Sequence, residues 1–414
     1  MFRYITLILL TFFLTTFASP SYAEKTNSPM IHVYVDALPV EFDVNPIIQN
    51  GRTLVPFRKL AETLDVQVEW DHQTRSIYAK GKETEVKLVI GNPVAFIHGV
   101  EVPLEAPPII EGGRTLIPLR FFSEAFQADV KWDHATREIH IISPKKEMKV
   151  LGYYALKSWE SLFGAPHPHT RIGNTDLISD LAVGWYSLDE SGNLLHKDPV
   201  TMWAKPDQWE DLLQQAENYS LNKEMTVLLP DTDQRAYRIL SSEENMTRAI
   251  YQLLEEAKLF DGINLDIEGL GRSSEGVEEI KNQFSLFVRK LSEEMKKQNL
   301  TLTLTLHAPN SAFKGYDYNA LSQYADRIVI MAYGYSKKGE PEPIHKVIEA
   351  VKMAKNSAPE GKFFLGLDMN SENEQTLLAK LGVAKQYQLE GIALWRLGLI
   401  QPAEWEVLKK HITK

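Results

Sequence analysis

Residues 260–269, FDGINLDIEG, place three carboxylates, one amide and two glycines inside an otherwise apolar run. Successive side chains of an extended chain point to opposite faces, so Asn264, Asp266 and Glu268 share one face and Ile263, Leu265 and Ile267 the other. Two carboxyl groups two residues apart on one face suit general acid–base chemistry. The charge of one disfavours ionisation of the other, which then holds a proton near neutral pH. Burying such charges without a task is costly, so the polar face reads as reactive, with a non-catalytic charged layer as the competing reading. Asp261, of opposite parity and near the start of the run, reads as structural.

A strand of this kind needs a scaffold to aim it. From Lys149 onward, apolar runs alternate with helical patterns: KVLGYYA, DLAVGWYSL, MTVLLP, GINLDIE, LTLTLHAP, RIVIMAYGY, FFLGLDM and GIALWRLG. Eight such strands predict a (β/α)8 TIM barrel over 149–414, in which chemistry collects at the carboxyl ends of the strands. Glu268 then stands at the rim with Asp266 one layer below, and His307 closes the fifth strand. A doubly wound open sheet is the competing architecture, but no glycine-rich phosphate loop follows any strand. HPHT, at 167–170, reads as a loop over the site.

Upstream, PIIQNGRTLVPFRKLAETLDVQVEWDHQTRSI returns 62 positions later as PIIEGGRTLIPLRFFSEAFQADVKWDHATREI. Each copy predicts a glycine turn (Gly51, Gly113) and a strand ending in Pro56 or Pro118. A helix carrying Arg58/Glu62 or Arg120/Glu124 at i,i+4 spacing follows, then two strands around a WDxxT turn. Residues 31–144 therefore read as a small α+β repeat domain, joined to the barrel by the charged segment SPKKEM at 143–148. Trp70 and Trp132, at matching positions, read as core residues. His72, His98, His134 and His140 are scattered and lack metal-ligand spacing, so no metal and no cofactor is expected.

The chain has 414 residues, a formal net charge of −10 and no cysteine. An acidic surface disfavours nucleic acid and anionic membranes as partners, and disulfide stapling is excluded. Residues 1–23, one arginine followed by an apolar run and Ser21-Tyr22-Ala23, read as a secretory signal peptide. An exported monomer with no membrane span after cleavage is expected.

The repeat resembles the amino-terminal domain of copper amine oxidases, a stalk module in secreted bacterial proteins. DGINLDIE resembles the D-G-x-D-x-D-x-E signature of glycoside hydrolase family 18, the chitinases and related N-acetylglucosaminidases. Asn264 departs from that signature where the family has Asp. The resemblance extends to Tyr333 in MAYGY and Trp395 in IALWRLG. It implies substrate-assisted, retaining cleavage of β-1,4 linkages at N-acetylglucosamine. Glu268 would be the acid and then the base, Asp266 would orient the acetamido group, and Tyr333 would bind the acetamido oxygen. Trp395 would form the floor under the sugar, and Tyr153, Asn264 and His307 are further substrate-binding candidates. The implied substrate is peptidoglycan or chitin, at the cell wall or spore envelope. A catalytically silent protein that binds N-acetylglucosamine polymers is the alternative. Gly334 stands where many relatives have an acid or amide that touches the sugar. Asn264 is expected to donate a hydrogen bond to Asp266 and keep it ionised.

Overall fold

The computed structural model describes residues 30–155, 158–164, 173–207, 209–231, 233–272 and 275–414. The expected signal peptide and the HPHT loop at 167–170 lie outside them.

The two N-terminal repeats fold in parallel. Strand Arg52–Pro56 leads into helix Phe57–Thr63 and then strands Gln67–Asp71 and Ser76–Lys80. The second copy repeats this as Arg114–Pro118, Leu119–Ala125, Asp129–Asp133 and Glu138–Ile142. Pro56 and Pro118 stand just before the helices, where no intrahelical N–H is required of them. In each WDxxT turn the aspartate accepts backbone N–H groups: Gln73 to Asp71 Oδ1 and Ala135 to Asp133 Oδ1, both at 2.8 Å. The copies meet where Arg52–Pro56 pairs antiparallel with Arg114–Pro118. Leu60, Ile77, Leu88, Ile117 and Phe122 fill the shared core.

The second unit is a closed parallel barrel. Its strands are, in chain order, Lys149–Tyr154, Asp180–Leu188, Asn222–Pro230, Gly262–Glu268, Thr301–His307, Arg327–Met331, Phe363–Asp368 and Gly391–Trp395. Each pairs with its neighbour in sequence, and the first also pairs with the eighth, which closes the ring. All eight expected strands are present. Ile263, Leu265 and Ile267 pack outward in one core with Phe284, Phe287 and Leu291 of helix Val277–Lys297. Gly262 is required at the foot of the fourth strand, where a Cβ would lie 2.5 Å from the Thr301 carbonyl oxygen.

The joint is more structured than its sequence suggests. Lys146–Glu147 forms a short parallel pair with Ile412–Thr413, so the chain enters and leaves the barrel on one small sheet. Among the described residues, no helix is long and apolar enough to cross a membrane.

Candidate active site

Strand parity builds the site in layers. In the deepest layer, Arg327 Nη2 lies 2.9 Å from Asp180 and 2.5 Å from Glu224, and its Nε donates to Thr303 Oγ1 at 2.8 Å. Burial favours a neutral Asp180, but Arg327 overrides it and holds the carboxyl below its ordinary range. Burial wins at Glu224, which is raised despite the same arginine.

Asn264 sits on this layer, fully buried. Its Nδ2 donates to Glu224 Oε2 at 3.0 Å and to Tyr153 Oη at 3.4 Å, and its Oδ1 accepts from Thr305 Oγ1 at 2.8 Å. The expected bond from Asn264 to Asp266 is therefore not made. The physical reason is parity combined with register. Glu224, Thr305 and Tyr153 reach Asn264 from neighbouring inward positions and take up its amide. The amide is fully engaged with protein, which leaves it nothing to offer a sugar. Tyr153 is likewise committed: its hydroxyl lies 2.5 Å from Thr305 Oγ1 and its ring meets Trp395 edge-on at 5.1 Å.

Asp266 and Glu268 bond each other one layer higher. Burial raises both carboxyls above their ordinary range. At Asp266 the charge of Glu268 and the shared hydrogen bond add to burial, whereas at Glu268 the bond from Asp266 opposes it. The sequence reading had Asp266 ionised, which Asn264 was to secure. Without that amide bond, the low-dielectric site holds a single shared proton. Asp266 is 2% exposed and its Oδ1 has no hydrogen-bond partner among the described residues.

Tyr333 stands near enough to the pair for the charges of both to act on it. Burial, followed by the charge of Asp266, the neighbouring Tyr153 and the charges of Glu268 and Asp368, holds its phenol well above the ordinary range and in its neutral donor form. Its ring lies over Gly366, where a Cβ would come within 3.2 Å. The chain beyond Tyr333 is fixed by Glu342, a buried carboxylate that accepts the N–H groups of Gly334, Tyr335 and Ser336 at 2.8, 3.0 and 3.2 Å. Gly334 has φ +80° and open space where a side chain would stand, so the position offers no group to a ligand.

Trp395 is half-buried at the end of the eighth strand and stacks on Trp203, with centroids 5.6 Å apart and planes at 21°. His307 lies at the end of the fifth strand, stacked on Phe313 at 4.0 Å, and burial lowers its pKa to about 4. It is a neutral wall group at neutral pH. The structure thus brings Asp266, Glu268, Tyr333, Tyr153 and Trp395 together and places His307 on the wall and Asn264 beneath. Sequence reasoning missed Glu224, Arg327, Trp203, Asp368 and Glu342. Glu224 and Thr303 had a detectable signal, inward parity on barrel strands. Glu342 and Trp203 lie in loops and had none.

The sequence model described as copper amine oxidase N-terminal domain matches residues 34–141, and that of glycosyl hydrolases family 18 matches residues 149–371, more than half of the chain. The cortical fragment-lytic enzyme of Bacillus subtilis is 20% identical over 265 residues, which cover 46% of this chain and 60% of that protein. The match thus spans less than two thirds of that relative. Among solved structures, the spore cortex-lytic enzyme SleL of Bacillus megaterium aligns with a TM-score of 0.54 at 16% identity, covering 76% of this chain and 89% of that one. A chitinase from Chromobacterium violaceum aligns with a TM-score of 0.53 at 17% identity, covering 64% and 98%. These two likenesses are of fold, and the sequence match over the barrel gives the family: this chain belongs to the glycosyl hydrolases of family 18.

Proposed function

We propose that the barrel hydrolyses β-1,4 linkages beside N-acetylglucosamine in an exported, envelope-associated setting, by substrate-assisted catalysis with retention of configuration. The observation that carries this reading is the Asp266 carboxyl, buried, bonded to Glu268 and holding Oδ1 without a partner. A buried unpaired acceptor is unfavourable until something donates to it, and an acetamido N–H is a donor of the required kind. That bond favours ionised Asp266 and passes the shared proton to Glu268. Glu268 then protonates the glycosidic oxygen while the acetamido oxygen attacks the anomeric carbon, so the leaving sugar departs as an alcohol and a cyclic oxazolinium remains. Ionised Asp266 balances the positive ring and Tyr333 donates to the acetamido oxygen. Glu268, now a carboxylate, takes a proton from water as the water attacks the same carbon, which reopens the ring and restores the acid.

Trp395 supplies an apolar face for the pyranose ring. The name of the Bacillus subtilis relative, a cortical fragment-lytic enzyme, favours a peptidoglycan-type polymer over chitin. The test is release of new reducing ends from chitooligosaccharides and from peptide-stripped peptidoglycan by the purified protein and by Glu268→Gln. The expected result is cleavage by the former and a loss of at least about 100-fold in the latter. Binding without cleavage by the unaltered protein would favour a polymer-binding role, and full activity in Glu268→Gln would remove Glu268 from the mechanism.

A further inference from the structure

The N-terminal domain carries two grooves whose linings correspond at most positions under the 62-position repeat. One, of about 760 Å³, is lined by Arg58, Trp70 and His72 from the first repeat and Arg114 and Thr115 from the second. The other, of about 470 Å³, is lined by Arg120, Trp132 and His134 from the second repeat and Arg52 and Thr53 from the first. Each groove is built across the two copies because the central strands pair with each other. The indole and histidine stand edge-on at 5.8 Å in both, and Trp132 Nε1 donates to His134 Nδ1 at 2.9 Å. Each rim carries an equivalent ion pair, Arg114 with Asp43 and Arg52 with Glu105. Trp70 and Trp132 pack on the domain core only in part, and the rest of each indole lines its groove.

Two observations separate these grooves from ordinary surface. The i,i+4 pairs expected on the helices are not formed: Glu62 lies 3.9 Å from Lys59, and among the described residues neither Arg58 nor Arg120 has an ion-pair partner. In the Trp132 groove, Arg137 also holds a buried Nε with no hydrogen-bond partner. The grooves differ in charge. In the Trp70 groove Glu41, Asp43, Glu62 and Glu69 outnumber Arg58, Lys59 and Arg114, while in the Trp132 groove Arg52, Arg120 and Arg137 face Glu105 alone.

We propose that the Trp132 groove binds a sugar that carries a carboxylate. The indole takes the apolar face of the ring, Arg120 and Arg137 take the carboxylate through their guanidinium donors, and Thr53 offers a hydroxyl. The Trp70 groove shares the shape, and its carboxylates repel the same ligand. The choice of a saccharide over another anion rests on the barrel acting on such a polymer. The N-terminal domain then anchors an acidic glycan strand while the barrel cleaves it.

The test uses the full chain as Glu268→Gln, so that nothing is consumed, titrated calorimetrically with peptide-stripped glycan strands bearing lactyl carboxylates and with neutral chitohexaose. The expected result is one class of site for the neutral oligomer and a second class for the acidic strands alone. Arg120→Gln with Arg137→Gln should weaken the second class at least tenfold and leave chitohexaose binding unchanged, and Arg58→Gln should change neither. Loss of both ligands together, or acidic binding that survives the double variant, overturns the proposal. The barrel is read separately, by cleavage of chitooligosaccharides with Glu268 restored. Cleavage with no acidic-selective site sinks the groove alone, and acidic-selective binding without cleavage sinks the hydrolase reading alone.

Discussion

At the scale of single residues, the proposed chemistry turns on one proton held between buried Asp266 and half-buried Glu268. Ordinary carboxylates lose their proton near pH 4, whereas burial raises both Asp266 and Glu268, so the pair keeps its proton to higher pH. Asp266→Asn keeps a hydrogen-bond donor beside Glu268 but removes the second carboxyl that holds and shares the proton. The alkaline limb of kcat/KM should then move to lower pH, with kcat down by about 100-fold. A reduced rate with an unmoved limb would show that Asp266 does not set the protonation of Glu268. Much of this site was legible as strand alternation: Asn264, Asp266 and Glu268 face inward as their spacing implied. The partner of Asn264 was not, because Glu224 lies 40 positions away and only the parallel pairing of the third and fourth barrel strands brings it within 3.0 Å.

At the scale of elements, the eight strands were readable because each is a short apolar run bounded by turn residues, a local property. What positions the chemistry between strands is less local. Glu342, eight residues past Gly334, folds back to accept three consecutive backbone N–H groups just beyond Tyr333. Nothing in its sequence context distinguishes it from a solvated loop acid. A glutamine offers one acceptor oxygen where the carboxylate offers two, and its amide group faces an N–H. Glu342→Gln should therefore lower kcat by about 10-fold or more through displacement of Tyr333, with KM changed less. Steady-state kinetics on a chitooligosaccharide check this, with Glu342→Asp as the conservative comparison. An unchanged kcat would mean that the clamp does not position Tyr333. SPKKEM illustrates the same limit: its charge and proline read as a linker, and its pairing with Ile412–Thr413 needs the far end of the chain.

At the scale of the whole molecule, the two domains are joined by polar contacts as well as by the chain. Lys385 Nζ lies 2.8 Å from Ser143 Oγ and 3.6 Å from Asp36, and Gln388 Nε2 donates to Asp65 at 2.9 Å. Gly382 fits against Asp36 and Leu38 of the N-terminal domain, a close approach that a larger residue would disturb. His411 is buried here, and burial, reinforced by Lys385, lowers its pKa to about 4. Between pH 6.5 and 4 the unfolded chain binds a proton at this position that the folded chain refuses, so stability falls as pH drops through that window. His307 contributes in the same direction. The melting temperature should fall from pH 7 to pH 5, and less so in His411→Gln. An equal fall in both proteins would show that His411 is not part of the acid sensitivity.

In the proposed mechanism the substrate's own acetamido group, held by Asp266 and Tyr333, is the nucleophile while Glu268 moves the proton. The most direct measurement is the anomeric configuration of the sugar first released from a β-linked chitooligosaccharide, followed by proton NMR before mutarotation. Attack and reopening on opposite faces should give the β-anomer first, in the unaltered protein and in any Asp266→Asn product that forms. Initial release of the α-anomer would mean direct attack by water across the ring, and the substrate-assisted mechanism would be wrong.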